Sequence, residues 1–195
     1  MFINLVDLNK ELTEYWKLMF SDVPNIKVYH DNIINIKSDC LVSPANSFGF
    51  MDGGIDKAIS YNIGNDIINK VQNIIKNKYY GELLVGQAEL VKTGNIEYPY
   101  LIVAPTMRVP FDIRNTMNVY LCASAIFKLL KRLCSNTDIK SVNISGLETL
   151  TGQIEPNVCA KQMRIAYRDV FEIEDNFPLS LRQAYNDEQN IRTIQ

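Results

Sequence analysis

Apolar residues along the chain follow two spacings, one typical of strands and one typical of helices. Short continuous apolar runs are typical of strands buried in a sheet. We predict six such strands, in the stretches FINLV, IKVY, CLVS, QAELV, YLIVA and SVNIS. Apolar positions three or four residues apart predict amphipathic helices, near residues 7–20, 55–76, 116–134 and 156–171.

Residues with special backbone preferences set the predicted boundaries of these helices. Asp7 is placed to cap the first helix, and Pro156 suits the first turn of the last long helix. Gly64 is predicted to interrupt the second helix or to mark a close packing contact. From Glu172 onward the sequence is polar, and we expect a loop followed by a short helix.

Alternation of strands and helices predicts a layered α/β fold around a mostly parallel central sheet. A chain of 195 residues is long enough for one sizeable core, so we interpret residues 1–195 as a single domain. We place its core at about residues 22–171 and treat residues 172–195 as a polar C-terminal extension.

Composition and charge disfavour several classes of function. The formal net charge is −2 and no long run of Lys or Arg occurs, so nucleic-acid binding through a basic patch is disfavoured. The longest apolar stretches are shorter than the roughly 20 residues that span a bilayer, so no membrane partner is expected. Four cysteines without a CxxC pair indicate a reducing, cytoplasmic location. His30 is the sole histidine, so we expect neither a metal site nor a cofactor.

Two loops are unusual, and both follow predicted strands at the edge where α/β sheets bind ligands. In the first loop, Gly53 and Gly54 lead into a helix and leave room for an anion at the unpaired N–H groups of the helix start. The second loop, SGLETLTGQIEP, offers backbone donors and hydroxyls from Gly146, Thr149, Thr151 and Gly152. Two such loops can bind a diphosphate between them through N–H groups and hydroxyls, without a lysine side chain.

The stretch DCLVSPANSFGFMDGGIDKAI resembles the first signature of the macro domain, written around N-A-A-N, a Gly-rich turn and an Asp that enters a helix. Asn46 and Asp56 are ten positions apart, the separation expected between the ribose-binding Asn and the Asp of hydrolytic members. The stretches GELLVGQAELV, YLIVAPTMRVP and SGLETLTGQIEPNVCAKQMRIAY resemble further blocks of a macro subgroup. The resemblance spans about residues 28–171 and implies a three-layer α/β/α fold with a mixed, mostly parallel sheet.

The resemblance implies a role for each matching residue of an ADP-ribose site. Asn32 would accept a hydrogen bond from the adenine amino group, and the N–H of Ile33 would meet the ring. Ala45 and Asn46 would both bind the ligand, and Asn46 would contact hydroxyls of the distal ribose. Asp56 would orient or deprotonate the water that attacks the anomeric carbon. The residues that would contact the phosphates are Gly53, Gly54, Ile55, Gly146, Thr149, Leu150, Thr151 and Gly152.

Two hypotheses about function follow, and they belong to different classes. The first is an enzyme that hydrolyses mono-ADP-ribosylated protein or ADP-ribose 1″-phosphate, with Asp56 and Asn46 as catalytic residues. The second is a non-catalytic module that reads ADP-ribose, favoured by Ser43, Glu148 and Leu150 because these residues depart from the family pattern. Both hypotheses predict ADP-ribose or an ADP-ribosylated protein as the partner.

For several of these side chains a structural role is an alternative to ligand binding. Asp56 can simply complement the dipole of its helix, and Asn46 can stabilise its own loop. For Arg108 we favour an ion pair within the fold over a ligand contact. Three aromatic residues are candidates to stack on the adenine, namely Phe171, Phe177 and Tyr185.

Overall fold

The computed structural model describes residues 1–64, 66–134, 137–147 and 151–192, and these contain six strands and six helices. The strands are β1 Phe2–Asp7, β2 Ile26–His30, β3 Cys40–Ser43, β4 Glu89–Lys92, β5 Tyr100–Val103 and β6 Ser141–Ile144. The helices are α1 Lys10–Met19, α2 Gly54–Ile63, α3 Asp66–Lys78, α4 Asn118–Leu133, α5 Pro156–Phe171 and α6 Leu181–Arg192.

The strands form one sheet in the order β2-β1-β6-β3-β5-β4. Every neighbouring pair is parallel except β4 and β5, which run antiparallel, with Glu89 opposite Val103 and Lys92 opposite Tyr100. The mixed, mostly parallel sheet confirms the predicted fold class. Because the parallel strands share one direction, the loops that follow β1, β2, β3 and β6 meet at one edge of the sheet.

Helices cover both faces of the sheet, which gives the three layers. On one face, α1, α4 and α5 pack around Trp16 and Phe127, and both of these side chains are fully buried. On the other face, α2 and α3 contribute Ile59, Ile67 and Val71 to a second buried cluster. Helix α6 lies against α5 outside these layers and buries little beyond Ile191.

The first strand belongs to the centre of the fold. Strand β1 pairs with both β2 and β6, and its residues Ile3, Leu5 and Val6 are buried. The core therefore begins at Ile3, well before the predicted start near residue 22.

Helix boundaries agree with the prediction at Gly64 and differ from it at Asp7. Helix α2 ends at Ile63 and α3 begins at Asp66, so the break at Gly64 is confirmed. The N-cap of α1 is Asn9, whose Oδ1 accepts from the backbone N–H of Leu12 at 3.2 Å. Asp7 is the last residue of β1, too far ahead of the first turn to cap it.

All four cysteines are free thiols, and Cys40, Cys122 and Cys159 are buried while Cys134 is exposed. Burial raises the pKa of the Cys40 thiol, so this residue is a packed apolar group rather than a nucleophile. Among the helices of the described residues, none is both long and apolar enough to cross a membrane.

Candidate nucleotide site at the carboxyl edge of the sheet

A pocket of about 250 Å³ opens where β1 and β2 end and α2 begins. Four residues predicted to bind the ligand line it, namely Asn32, Ile33, Gly54 and Ile55. The other lining residues are Val6, Asp7, Leu8, Asp31 and Ala58. The predicted residues Ala45, Asn46 and Asp56 are not part of its wall. The structure thus brings the predicted adenine contacts together with the start of α2.

Asp7 joins the ends of two neighbouring strands below this pocket. Its Oδ1 accepts from the backbone N–H of Asn9 at 2.7 Å, and its Oδ2 accepts from the N–H of Gly146 at 2.8 Å. A Cβ at position 146 would clash with Leu12 Cδ2 and lie 2.7 Å from Asp7 Oδ2, so a larger residue would force these two side chains to move. The amide of Gly146, predicted to donate to a ligand, therefore donates to Asp7 within the fold.

The loop after β2 carries Asp31 and Asn32 side by side at the pocket. Asp31 Oδ1 accepts from the N–H of Asn32 at 2.6 Å and from Asn35 Nδ2 at 2.7 Å. Asn32 Oδ1 accepts from the N–H of Ile34 at 3.3 Å. Asp31 lines the pocket beside Asn32 and was not among the residues selected from the sequence. The signal that was available is the carboxylate directly after the last residue of β2.

A buried side-chain amide on strand β6 fixes the position of this loop. Asn143 on β6 is fully buried, and its Nδ2 donates to the carbonyl of Ile33 at 3.1 Å and to that of Ile36 at 2.5 Å. Its Oδ1 accepts from Asn4 Nδ2 on β1 at 2.8 Å. These bonds satisfy buried polar groups and tie the pocket loop to two strands.

The start of α2 is open towards the pocket. Gly53 is the N-cap residue and makes no side-chain cap, and Gly54 begins the helix with φ of +51°, a conformation that favours glycine. A Cβ at either position would meet nothing within 4 Å. Both glycines are exposed, so the first N–H groups of the helix are accessible to an anion.

Asp56 lies in the first turn of α2 and is bonded to the end of β3. Ser43 Oγ donates to Asp56 Oδ1 at 2.5 Å, and the Ser43 side chain is fully buried. A hydroxyl that donates to a carboxylate fixes the orientation of that carboxylate. Ser43 occupies the position of the first Asn of the N-A-A-N signature, so this departure from the family pattern has a specific partner.

Asn46 shapes the loop that follows it. Its Oδ1 accepts from the N–H groups of Phe48 and Phe50 at 3.1 and 3.2 Å, and its Nδ2 donates to the carbonyl of Phe50 at 2.8 Å. Ala45 is buried, and its carbonyl accepts from the N–H of Thr106 at 3.3 Å. Asn46 thus has the loop-stabilising role that the sequence left open, and Ala45 packs beneath it.

The second loop is described only at its two ends. Thr149 and Leu150, which we predicted to bind the phosphates, lie outside the described residues, as does Glu148. Thr151 is exposed, whereas Gly152 is buried and its carbonyl accepts from the N–H of Ile113 at 3.1 Å.

The remaining candidates lie away from the pocket wall. Arg108 forms an ion pair with Glu82, with 2.8 Å between Nε and Oε1, as predicted, and its guanidinium stacks 4.9 Å from the Phe48 ring centre. Phe171 packs against Phe127 and Tyr167 between α4 and α5. Within the described part of the chain, no three His, Cys, Asp or Glu side chains are grouped to hold a metal ion.

The chain belongs to the Macro domain family, whose model matches residues 42–163. An uncharacterized protein of Aquifex aeolicus is 30% identical over 139 residues, which is 71% of this chain and 78% of that protein. The family therefore agrees with the resemblance found in the sequence.

Solved macrodomains share the fold at low sequence identity. The macrodomain of Mycobacterium tuberculosis DarG has a TM-score of 0.58 and 17% identity, covering 71% of this chain and 86% of that one. A macrodomain of Oceanobacillus iheyensis, solved with ADP, has a TM-score of 0.59 and 17% identity, covering 70% of each chain. Thermosipho africanus DarTG in complex with ADP-ribose has a TM-score of 0.56 and 20% identity, covering 73% and 38%.

Proposed function

We propose that this protein is a macro domain that binds ADP-ribose and hydrolyses ADP-ribosyl derivatives, either mono-ADP-ribosylated protein or ADP-ribose 1″-phosphate. Family membership supports the binding, because solved macrodomain relatives include complexes with ADP and with ADP-ribose. The observation that carries the proposed hydrolysis is the carboxylate of Asp56, which Ser43 holds in the first turn of the helix that borders the pocket.

The proposed ligand extends from the pocket towards the second loop. The adenine occupies the pocket against Asn32 and Ile33, where apolar side chains from β1 and α2 supply the walls. The diphosphate meets the open start of α2 at Gly53, Gly54 and Ile55, because unpaired N–H groups and the helix dipole favour an anion. The proposed contacts on the opposite side are Thr149, Leu150, Thr151 and Gly152.

Asp56 acts as the general base in the proposed reaction. It accepts a proton from the water that adds to the anomeric carbon of the distal ribose. The bond from that carbon to the leaving oxygen breaks, and its electron pair stays on the departing carboxylate or phosphate. The hydrogen bond from Ser43 suits this role, since it orients the carboxylate towards one geometry.

Asn46 holds the distal ribose in the same proposal. One Nδ2 donor goes to the carbonyl of Phe50, and an Asn amide carries a second donor that can bind a sugar hydroxyl. The partner is free ADP-ribose or an ADP-ribosylated protein. The four free thiols support a reducing, cytoplasmic location for this protein.

The Asp56→Asn variant tests the proposal. We expect wild-type protein to release ADP-ribose from modified protein or phosphate from ADP-ribose 1″-phosphate. In Asp56→Asn, kcat falls by about a hundredfold or more, because general-base catalysis contributes roughly 10²–10⁴-fold. Calorimetry is expected to give the same dissociation constant for ADP-ribose in both proteins.

Asp66→Asn is the matched control, because Asp66 is an exposed first-turn carboxylate of α3 whose ion pair among the described residues is with Lys70 on its own helix. Its kcat should equal that of the wild type. Equal activity of Asp56→Asn and wild type would contradict the assignment of Asp56.

The alternative is a module that reads ADP-ribose without turnover. The observation that favours it is the structural engagement of Asn46, whose side chain closes its own loop with three hydrogen bonds. ADP-ribose binding by a wild type that turns over neither substrate would establish the reader. Absence of ADP-ribose binding at millimolar concentration would exclude both functions.

A further inference from the structure

Ser145 carries a buried hydroxyl that has no hydrogen-bond partner. The residue is 2% exposed, and its Oγ is one of two such side-chain atoms among the described residues. An unbonded buried hydroxyl destabilises a folded protein, and native structures seldom keep one without a reason. Its position in the fold indicates what that reason is.

The alternation of β6 places Ser145 on the side of the sheet that faces α2. Val142 and Ile144 pack into the cluster with α1, α4 and α5. Asn143 points to the opposite side, where it bonds the carbonyls of the pocket loop. Side chains alternate along a strand, so Ser145, directly after the strand, continues the side of Asn143.

The register between β3 and β6 brings Ser145 next to Ser43. Leu41 lies opposite Asn143, and extending this register by two residues on each chain places Ser43 beside Ser145. Ser43 in turn bonds Asp56 in the first turn of α2. The unbonded hydroxyl is therefore located at the strand ends beneath the open start of that helix.

We infer that Ser145 Oγ donates a hydrogen bond to a diphosphate oxygen of the bound nucleotide. This inference rests on the proposed ADP-ribose binding and adds a contact to it. A phosphate oxygen accepts the hydroxyl proton that no protein group accepts, and the start of α2 supplies further N–H donors to the same anion. The net charge of −2 and the absence of a basic patch fit a site that binds phosphate through neutral donors.

The second unbonded buried atom, Trp16 Nε1, lies in different surroundings from Ser145 Oγ. Trp16 lies on α1 in the cluster on the other face of the sheet. It lies within a helix and is surrounded by core side chains. Ser145 differs because it lies at the edge where the parallel strands end.

Calorimetry of Ser145→Ala with ADP-ribose and with ADP tests the inference. We expect both dissociation constants to rise about tenfold or more, since a hydrogen bond to a charged acceptor is lost. The melting temperature without ligand stays the same or rises, because an unsatisfied buried group is removed. Ser145→Cys keeps a side chain of similar volume, but its thiol is a weak hydrogen-bond donor. It should also raise both dissociation constants, and it replaces the alanine variant if that variant does not fold.

Ser38→Ala is the matched control, because Ser38 is buried at the opposite end of the sheet and its Oγ donates to the carbonyl of Cys40 at 3.0 Å. It should lower the melting temperature and leave both affinities unchanged. Unchanged affinities in Ser145→Ala overturn the inference. A loss for ADP-ribose without a loss for ADP also overturns it, because the contact would then be to the distal ribose.

Thermal shift with inorganic pyrophosphate separates this inference from the proposed function. If wild-type protein binds no ADP-ribose, a pyrophosphate-induced shift that disappears in Ser145→Ala still supports the anion contact while the proposed function fails. Absence of any pyrophosphate response in that wild type overturns both.

Discussion

Two side-chain hydrogen bonds at the candidate site join residues that lie apart in the sequence. Ser43 and Asp56 are 13 residues apart and bond at 2.5 Å because the end of β3 lies against the first turn of α2. Asp7 and Gly146 are 139 residues apart and bond because β1 and β6 are neighbours in the sheet. From the sequence we predicted Asp56 by its spacing from Asn46, but neither bond, since strand order is not encoded in local pattern.

Ser43→Ala tests the first of these bonds, given the proposed hydrolysis. We expect kcat to fall roughly tenfold to a hundredfold, because a hydrogen bond to a charged group is worth about 1.5–3 kcal/mol and its loss leaves the base less well oriented. The dissociation constant of ADP-ribose should change by less than about twofold. Steady-state kinetics and calorimetry measure the two effects separately.

Two further variants make the Ser43 result specific. Ser43→Thr retains a hydroxyl and should restore part of the activity. Ser60→Ala removes a buried hydroxyl from the same helix, where it bonds the carbonyls of Lys57 and Met51, and should lower stability without lowering kcat. A fully active Ser43→Ala variant would show that the Ser43 hydroxyl does not position Asp56.

At the scale of elements, the two ends of the central strands have different roles, one at the candidate site and one in holding the strands together. The carboxyl ends of β3 and β6 face the candidate site, whereas their starts are joined by Asp39. Its Oδ2 accepts from the N–H groups of Lys140 and Ser141 and from Ser141 Oγ, at 2.8 to 2.9 Å. Burial alone would raise the pKa of Asp39, but these hydrogen bonds outweigh it and lower the pKa.

The lowered pKa gives this connection a predictable pH dependence. Since folding favours the charged form of Asp39, its contribution is present above the unfolded pKa of about 3.9 and is lost as pH falls through the lower folded value. We expect Asp39→Asn to lower the free energy of unfolding at pH 7, and this deficit to shrink below about pH 4. Urea unfolding of both proteins at several pH values measures it.

Asp138→Asn is the control for this experiment, because Asp138 is an exposed carboxylate close to β6. It should leave the free energy of unfolding nearly unchanged at every pH. A deficit of Asp39→Asn that is the same at pH 3 and pH 7 would mean that the charge of Asp39 is not what stabilises the strand starts.

For the whole molecule, the two termini differ in how much of the core they supply. Residues 1–21 provide β1 in the middle of the sheet and the fully buried Leu5, Leu12 and Trp16. The chain after α5 provides α6, which adds only Ile191 to the buried residues. From the sequence we treated residues 172–195 as a polar extension and placed the start of the core near residue 22. A short apolar run such as β1 does not reveal that it has a neighbouring strand on both sides.

Deleting each terminus is expected to give opposite results. A chain that begins at residue 22 should fail to fold, because each buried large apolar side chain is worth about 1.5–3 kcal/mol against a total stability of about 5–15 kcal/mol. A chain that ends at residue 173 should fold cooperatively with a somewhat lower melting temperature. Circular dichroism melts of the two chains measure this, and a cooperative melt of the chain from residue 22 would refute the central role of β1.

The sequence by itself determined which elements form, where Gly64 divides two helices, and the spacing that marks Asn46 and Asp56. These features are local, because apolar period, backbone preference and motif spacing act within a few residues. Only the tertiary structure decided that β1 lies between β2 and β6, that Asp7 accepts a hydrogen bond from the N–H of Gly146, and that Ser43 bonds Asp56. Each of these depends on which strand ends meet, and contacts between segments distant in sequence set that arrangement.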